Sequence, residues 1–193
     1  PLYSSAASDV YKRQVCARCK MSNDTDRIAG YTIRPAVHED LGRVAELLLA
    51  LQDHLEASNP HLWRMDDEAR ANLKGVTAGR LSQPDSSVLV AEHEADGVVG
   101  VILGRVVTNK RYDPPRAGMI DQAVVRVDHR RQGVATQLVA AMCDFFAREG
   151  VADLSLRYVA GNEEATRFWA ALGFTPRIVT AGATRSVVEG LVR

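Results

Sequence analysis

Apolar positions along the chain change rhythm several times, and each change predicts an element. Tyr31-Thr32-Ile33-Arg34 reads as a strand that ends before Pro35, because proline has no N–H for a sheet ladder. Leu41, Val44, Leu47, Leu48 and Leu51 then recur at helical spacing behind the acidic start His38-Glu39-Asp40. After the Asn59-Pro60 loop, a more polar helix is predicted from Asp66 to Leu81, closed by Ser82-Gln83-Pro84-Asp85. Val88–Glu92 and Val98–Val107 flank Ala95-Asp96-Gly97, a hairpin signal. A loop from Asn109 to Gly118 precedes a strand that carries Asp121 and continues through Ala123-Val124-Val125-Arg126-Val127. Val134, Leu138, Met142 and Phe145 or Phe146 form one face of a central helix that stops before Gly150. Leu154–Tyr158 reads as a strand, Asn162–Leu172 as a helix stopped by Gly173, and Phe174–Thr180 with Thr184–Leu191 as a closing hairpin around Ala181-Gly182. The order β-α-α-β-β-β-α-β-α-β-β, without internal repeats, predicts an α/β fold with a mixed, mostly antiparallel central sheet and helices on both faces.

The most informative junction is Arg130-Arg131-Gln132-Gly133-Val134-Ala135-Thr136, between a β-branched run and a helix start. A helix start leaves N–H groups without internal partners and carries a positive dipole end, so small residues there let an anion approach the backbone. The arginine pair and the Thr136 hydroxyl add donors, which favours a diphosphate over a neutral ligand. The spacing matches neither the dinucleotide fingerprint nor the triphosphatase loop.

Arg/Gln-x-x-Gly-x-Gly/Ala after a strand resembles the pyrophosphate loop of the GNAT superfamily of N-acetyltransferases, with Arg130, Gly133 and Ala135 in the matching positions. Asn162-Glu163-Glu164-Ala165-Thr166-Arg167-Phe168-Trp169-Ala170-Ala171-Leu172-Gly173-Phe174 resembles the late helix of that superfamily. The resemblance runs from about Tyr31 to the C-terminus and implies the acyl-CoA N-acyltransferase fold, with acetyl-CoA as acetyl donor and no metal. It further implies that Val125 and Val127 offer backbone partners to the pantetheine arm. Arg130, Arg131, Gln132, Gly133, Val134, Ala135 and Thr136 would cradle the diphosphate, and Asn162 and Trp169 would contact the cofactor from the late helix. Asn162 is equally a good helix cap.

Acetyl transfer by direct attack in a ternary complex needs a neutral amine, and a primary amine with a reference pKa of about 10.4 is mostly protonated. Asp121 lies where members of the superfamily often carry an acidic residue facing the substrate, and Met119-Ile120-Asp121-Gln122 resembles a stretch of some aminoglycoside 6′-acetyltransferases. With a reference of about 3.9, an aspartate serves as base only if burial raises its pKa or water relays the proton; otherwise it binds the ammonium. Trp169 departs from the family pattern, which often has there the tyrosine that protonates the leaving thiolate, and an indole cannot act as that acid. Tyr158, and Tyr112 in the loop, are the substitutes. On the acceptor side, Asp53, Glu56, Asp66, Asp67 and Glu68 could attract a cationic amine and Trp63 could stack on it, or they form a solvated helix face and a core tryptophan. His54, His61 and His129 lack metal-ligand spacing and read as surface or hydrogen-bonded residues.

Twenty-four basic and 24 acidic residues cancel in this 193-residue chain, so no global field favours nucleic acid. No apolar run approaches the about 20 residues of a membrane helix, and the expected location is cytoplasmic. Three cysteines form no disulfide framework; Cys143 reads as a small helix residue, and Cys16-x-x-Cys19 lacks further ligands. Val10-Tyr11-Lys12-Arg13-Gln14 is what a transposon end common in sequencing libraries encodes, so 1–14 is expected to be an assembly artefact and 1–28 a disordered tail, with Met21 a plausible start. Residues 29–193 are then a single domain, its C-terminal hairpin a candidate homodimer surface. The expected activity is acetyl transfer to a small-molecule amine; protein lysine or N-terminal acetylation and noncatalytic acyl-CoA binding are the alternatives.

Overall fold

The computed structural model describes residues 28–59 and 64–192, which fall into two compact units divided between Gly161 and Asn162. The expectations for residues 1–27, including Cys16 and Cys19, and for His61 and Trp63 lie outside the described residues.

The first unit is built on a five-stranded sheet in the order β1 (Tyr31–Pro35), β2 (Ser86–His93), β3 (Gly97–Thr108), β4 (Arg116–Val125) and β5 (Leu154–Leu156). The first three pairings are antiparallel and β4–β5 is parallel, so the expected mixed, mostly antiparallel sheet is present. Three helices flank it: α1 (Leu41–Ser58), α2 (Asp67–Leu81) and α3 (Val134–Arg148). Period-two alternation sorts the strand residues between two helical layers. On one face Val88, Val90, Val101 and Leu103 pack with Val44, Leu47, Leu48 and Leu73 of α1 and α2. On the other, Gly100, Gly104 and Gly118 lie so close to Leu138, Met142 and Phe146 of α3 that an added Cβ would crowd those side chains. Each such fully buried aliphatic or aromatic side chain contributes about 1.5–3 kcal/mol.

Local chemistry fixes the helix starts. Asp66 caps α2 by accepting from the Ala69 N–H at 2.7 Å. His38–Asp40 forms a 3-10 turn ahead of α1, in which buried Asp40 accepts from Arg34 Nη1 at 2.6 Å and from the Val37 N–H at 2.8 Å. The Arg34 guanidinium holds the Asp40 carboxyl below the usual aspartate range.

The second unit holds α4 (Glu163–Ala171) and α5 (Arg185–Leu191). Asn162 caps α4, accepting from the Ala165 N–H at 3.0 Å. The tail departs from expectation: Phe174–Thr184 forms no strand, and Arg185–Leu191 is a helix. β-Branched residues favour a strand only where a neighbouring strand can accept the ladder, and Ile178, Val179, Val187 and Val188 are all exposed.

Candidate active site

The parallel pairing of β4 with β5 covers only Gly118–Ile120 against Leu154–Leu156, while β4 continues to Val125. Beyond Ile120, β4 is paired on its β3 side alone. The Arg126 N–H donates to the Val99 carbonyl, and alternation along the strand therefore turns the N–H and C=O of Val125 away from β3, toward the edge that β5 leaves uncovered. The Val125 carbonyl takes the Arg130 Nε–H at 3.1 Å, which folds the arginine back onto the strand end. Val127 does not extend the strand as expected; Val127–His129 is a 3-10 turn and the Val127 side chain is exposed.

The loop that follows is a set of donors. Arg131 and Gly133 both have left-handed backbone, φ 60° and 85°, and Gly133 caps α3 by accepting from the Gln137 N–H at 3.1 Å. Left-handed turns of this kind make consecutive N–H groups converge into an anion-binding concavity. From Arg131 to Thr136 no backbone N–H donates to any described residue, and Arg131, Gln132, Gly133 and Thr136 are solvent-exposed while Val134 is buried in the core. These groups fit a diphosphate in chemistry and exposure.

A ring cluster braces the loop from behind. His129, 6 % exposed, has Nδ1 at 2.6 Å from the Tyr31 hydroxyl and Nε2 at 2.7 Å from Arg126 Nη2. The Tyr31 hydroxyl donates to Gln132 Oε1 at 2.9 Å, so β1 is tied to the residue before Gly133. Of the two readings open to His129, surface or hydrogen-bonded, the second holds, while Tyr31 and His93 carry no mark in the sequence as its partners. His93, Asp96 and His129 bring ligand atoms within 4.8 Å of one another, yet the Arg126 guanidinium also lies 3.1 Å from Asp96 and supplies the cation there. Arg126 holds the carboxyls of Asp96 and Asp128 below their usual range.

Asp121 is the extra residue of a β-bulge. Leu103 pairs with Gln122 and Gly104 with Ile120, leaving Asp121 without a partner on β3. A bulge re-aims side chains. Here consecutive residues Asp121 and Gln122 both line a cavity of about 300 Å³ with Leu73, Thr77 and Arg80 of α2. Asp121 Oδ2 accepts from Arg80 Nη1 at 2.5 Å and from Arg105 Nε at 3.1 Å. That geometry does not suit the base expected at Asp121, since two guanidiniums engage the carboxylate and repel an approaching ammonium. Neither arginine was legible as a site residue, because both reach Asp121 from elements far away in sequence.

The remaining candidates sort by what they touch. Tyr158 lies two residues past the end of β5, partly exposed, and its hydroxyl makes no hydrogen bond with the described residues. Tyr112 is 70 % exposed in the preceding loop. Trp169 is buried, its ring edge-on to Phe168 and Phe174. The acidic residues before α2 are mostly structural: Asp53 and Glu56 pair with Arg70, and Asp66 is a cap. Cys143 is half-buried on α3 and His54 is exposed on α1.

The comparisons with known proteins agree with this architecture. No curated protein matches the chain. Among solved structures, the BH1408 protein of Bacillus halodurans (tetramutant) superposes with a TM-score of 0.71 at 18% identity, over 79% of this chain and 99% of that one. An aminoglycoside acetyltransferase, meta-AAC0020, from an uncultured soil metagenomic sample has a TM-score of 0.60 at 19% identity, over 82% and 99%. The aminoglycoside antibiotic 6′-N-acetyltransferase AAC(6′)-Ih of Acinetobacter baumannii has a TM-score of 0.61 at 16% identity, over 80% and 99%. At these identities the likeness establishes the fold. The model of the acetyltransferase (GNAT) family matches residues 48–174, which runs from within α1 to just past α4 and includes the whole donor loop, and the chain belongs to that family.

Proposed function

We propose that the protein transfers the acetyl group of acetyl-CoA to a primary amine of a small molecule by direct attack in a ternary complex. The observation that carries this reading is the continuity of donors from the uncovered edge of β4 into the loop before α3. The N–H of Val125 faces the free edge, and the N–H groups from Arg131 to Thr136 follow within one turn of chain. An extended arm ending in a diphosphate matches that layout: the arm adds to the sheet edge and the diphosphate seats on the helix start. The thioester supplies an acetyl group already activated toward an amine.

The chain's residues then do three things. Arg130 holds the strand end through the Val125 carbonyl, so the edge keeps its geometry. Gly133 provides the left-handed turn without a side chain over the donors. Tyr158, with its hydroxyl unengaged among the described residues, is the proposed donor of a proton to the departing thiolate. Asp121 is a positioning residue that fixes Arg80 and Arg105, and the amine loses its proton to solvent before attack.

Calorimetry of acetyl-CoA binding, with desulfo-CoA and NADH as controls, tests the reading. Selective micromolar binding of the CoA compounds over NADH, and thiol release that depends on an added amine, are the expected results. Absence of CoA binding, or binding without release across primary amines, would defeat it.

A further inference from the structure

Asp121 is paired with more positive charge than its carboxylate balances. Arg80 and Arg105 both pair with Asp121, and no other described carboxylate pairs with either of them. Arg80 engages through Nη1 and Arg105 through Nε, so most of the five N–H donors on each guanidinium are uncommitted within the described residues. Both side chains are partly exposed, 24% and 39%. Asp121 holds the two forks together, and Arg80 and Asp121 line a cavity with Leu73, Val76 and Thr77. This cavity lies where β4 loses its β5 partner.

From this arrangement we infer that the acceptor is an amine that also carries a carboxylate, bound by Arg80 and Arg105 while its amino group faces the β4 edge. The inference rests on the acetyl-transfer reading and narrows it. Charge-assisted hydrogen bonds from paired guanidiniums are among the strongest available to a carboxylate. The same two guanidiniums repel a polycation, whose better surface is the adjoining cavity, which shares Leu73 and Val76 but carries Asp66 and Glu68. The proposed acceptor class is therefore amino acids, ω-amino acids and short peptides rather than aminoglycosides or polyamines.

Steady-state acetyl transfer with matched acceptors tests this on the full chain. Glycine, β-alanine, 4-aminobutyrate and glycylglycine are each compared with their carboxamides, with spermidine and sisomicin as cationic comparators. The expected result is a kcat/KM about tenfold or more higher for at least one carboxylate than for its carboxamide, and above both cations. Arg105→Gln should bring that ratio close to one while acetyl-CoA affinity stays at the wild-type value. Carboxamides or cations that react as well as the carboxylates would overturn the inference, as would a ratio unchanged in Arg105→Gln or no reaction with any of the four acids. Loss of acetyl-CoA binding by the wild-type protein would instead defeat the underlying reading, and calorimetry separates the two.

Discussion

The donor loop and the pocket at Asp121 are neighbours on one strand but are built from different materials. The loop is made of backbone: N–H groups from Arg131 to Thr136, two left-handed residues and a helix start. The pocket is made of side chains, among them Arg80 from α2 and Asp121 from a bulge in β4, with Arg105 of β3 bonded to the same carboxylate. A backbone site tolerates most substitutions because the donors survive a change of side chain. A side-chain site changes its ligand when one residue changes. On the proposed acetyl-transfer reading, the difference suits a common donor paired with an acceptor that varies.

Variants can pull the two regions apart. The largest effect belongs to Gly133→Glu, which forces a non-glycine residue to φ 85° and sets a negative charge over the loop. Acetyl-CoA affinity measured by calorimetry should fall about a hundredfold or more, as expected from a few kcal/mol of strain and repulsion. Asp121→Asn comes next: turnover should drop about tenfold as Arg80 and Arg105 lose their anchor, with acetyl-CoA affinity unchanged. Its pH–rate profile should keep the wild-type midpoint, whereas a profile that loses an ionisation in the variant would restore Asp121 as the base. The smallest is Tyr31→Phe, which removes the hydroxyl between His129 and Gln132. A destabilisation of about 1 kcal/mol in urea unfolding and a severalfold weaker acetyl-CoA affinity are expected. An unchanged affinity would show that the loop holds its shape without the brace.

The contrast also explains what could be read from the chain alone. The loop was legible because strand, glycine and helix start are contiguous, and each rests on local conformational preference. β2 and β3 were legible because Asp96-Gly97 and two β-branched runs specify their pairing within a few residues. The register of β4 against β3 was not, since an extra residue at Asp121 leaves no local mark and depends on how Leu103 and Gly104 find their partners. Arg80 and Arg105 lie 41 and 16 residues from Asp121 in sequence, so their meeting follows from topology rather than spacing. The tail failed for a related reason: Val187 and Val188 look like strand residues, but α5 satisfies its own backbone and requires no partner. Trp169 stood out as a departure from the family pattern and proves to be a buried residue against Phe168 and Phe174.

The bulge at Asp121 also sets how the protein can diversify. Ile120 and Gln122 pair with the adjacent residues Gly104 and Leu103, so removing Asp121 would straighten β4 and leave Val124 facing the α1–α2 layer and Val125 facing α3. The core would survive that deletion while the pocket lost its carboxylate. On the proposed reading, acceptor preference can thus drift by loss of this one residue as well as by exchange of side chains at positions such as 80, 105 and 122. In alignments of its descendants, a one-residue gap is expected at this position and not elsewhere in β4.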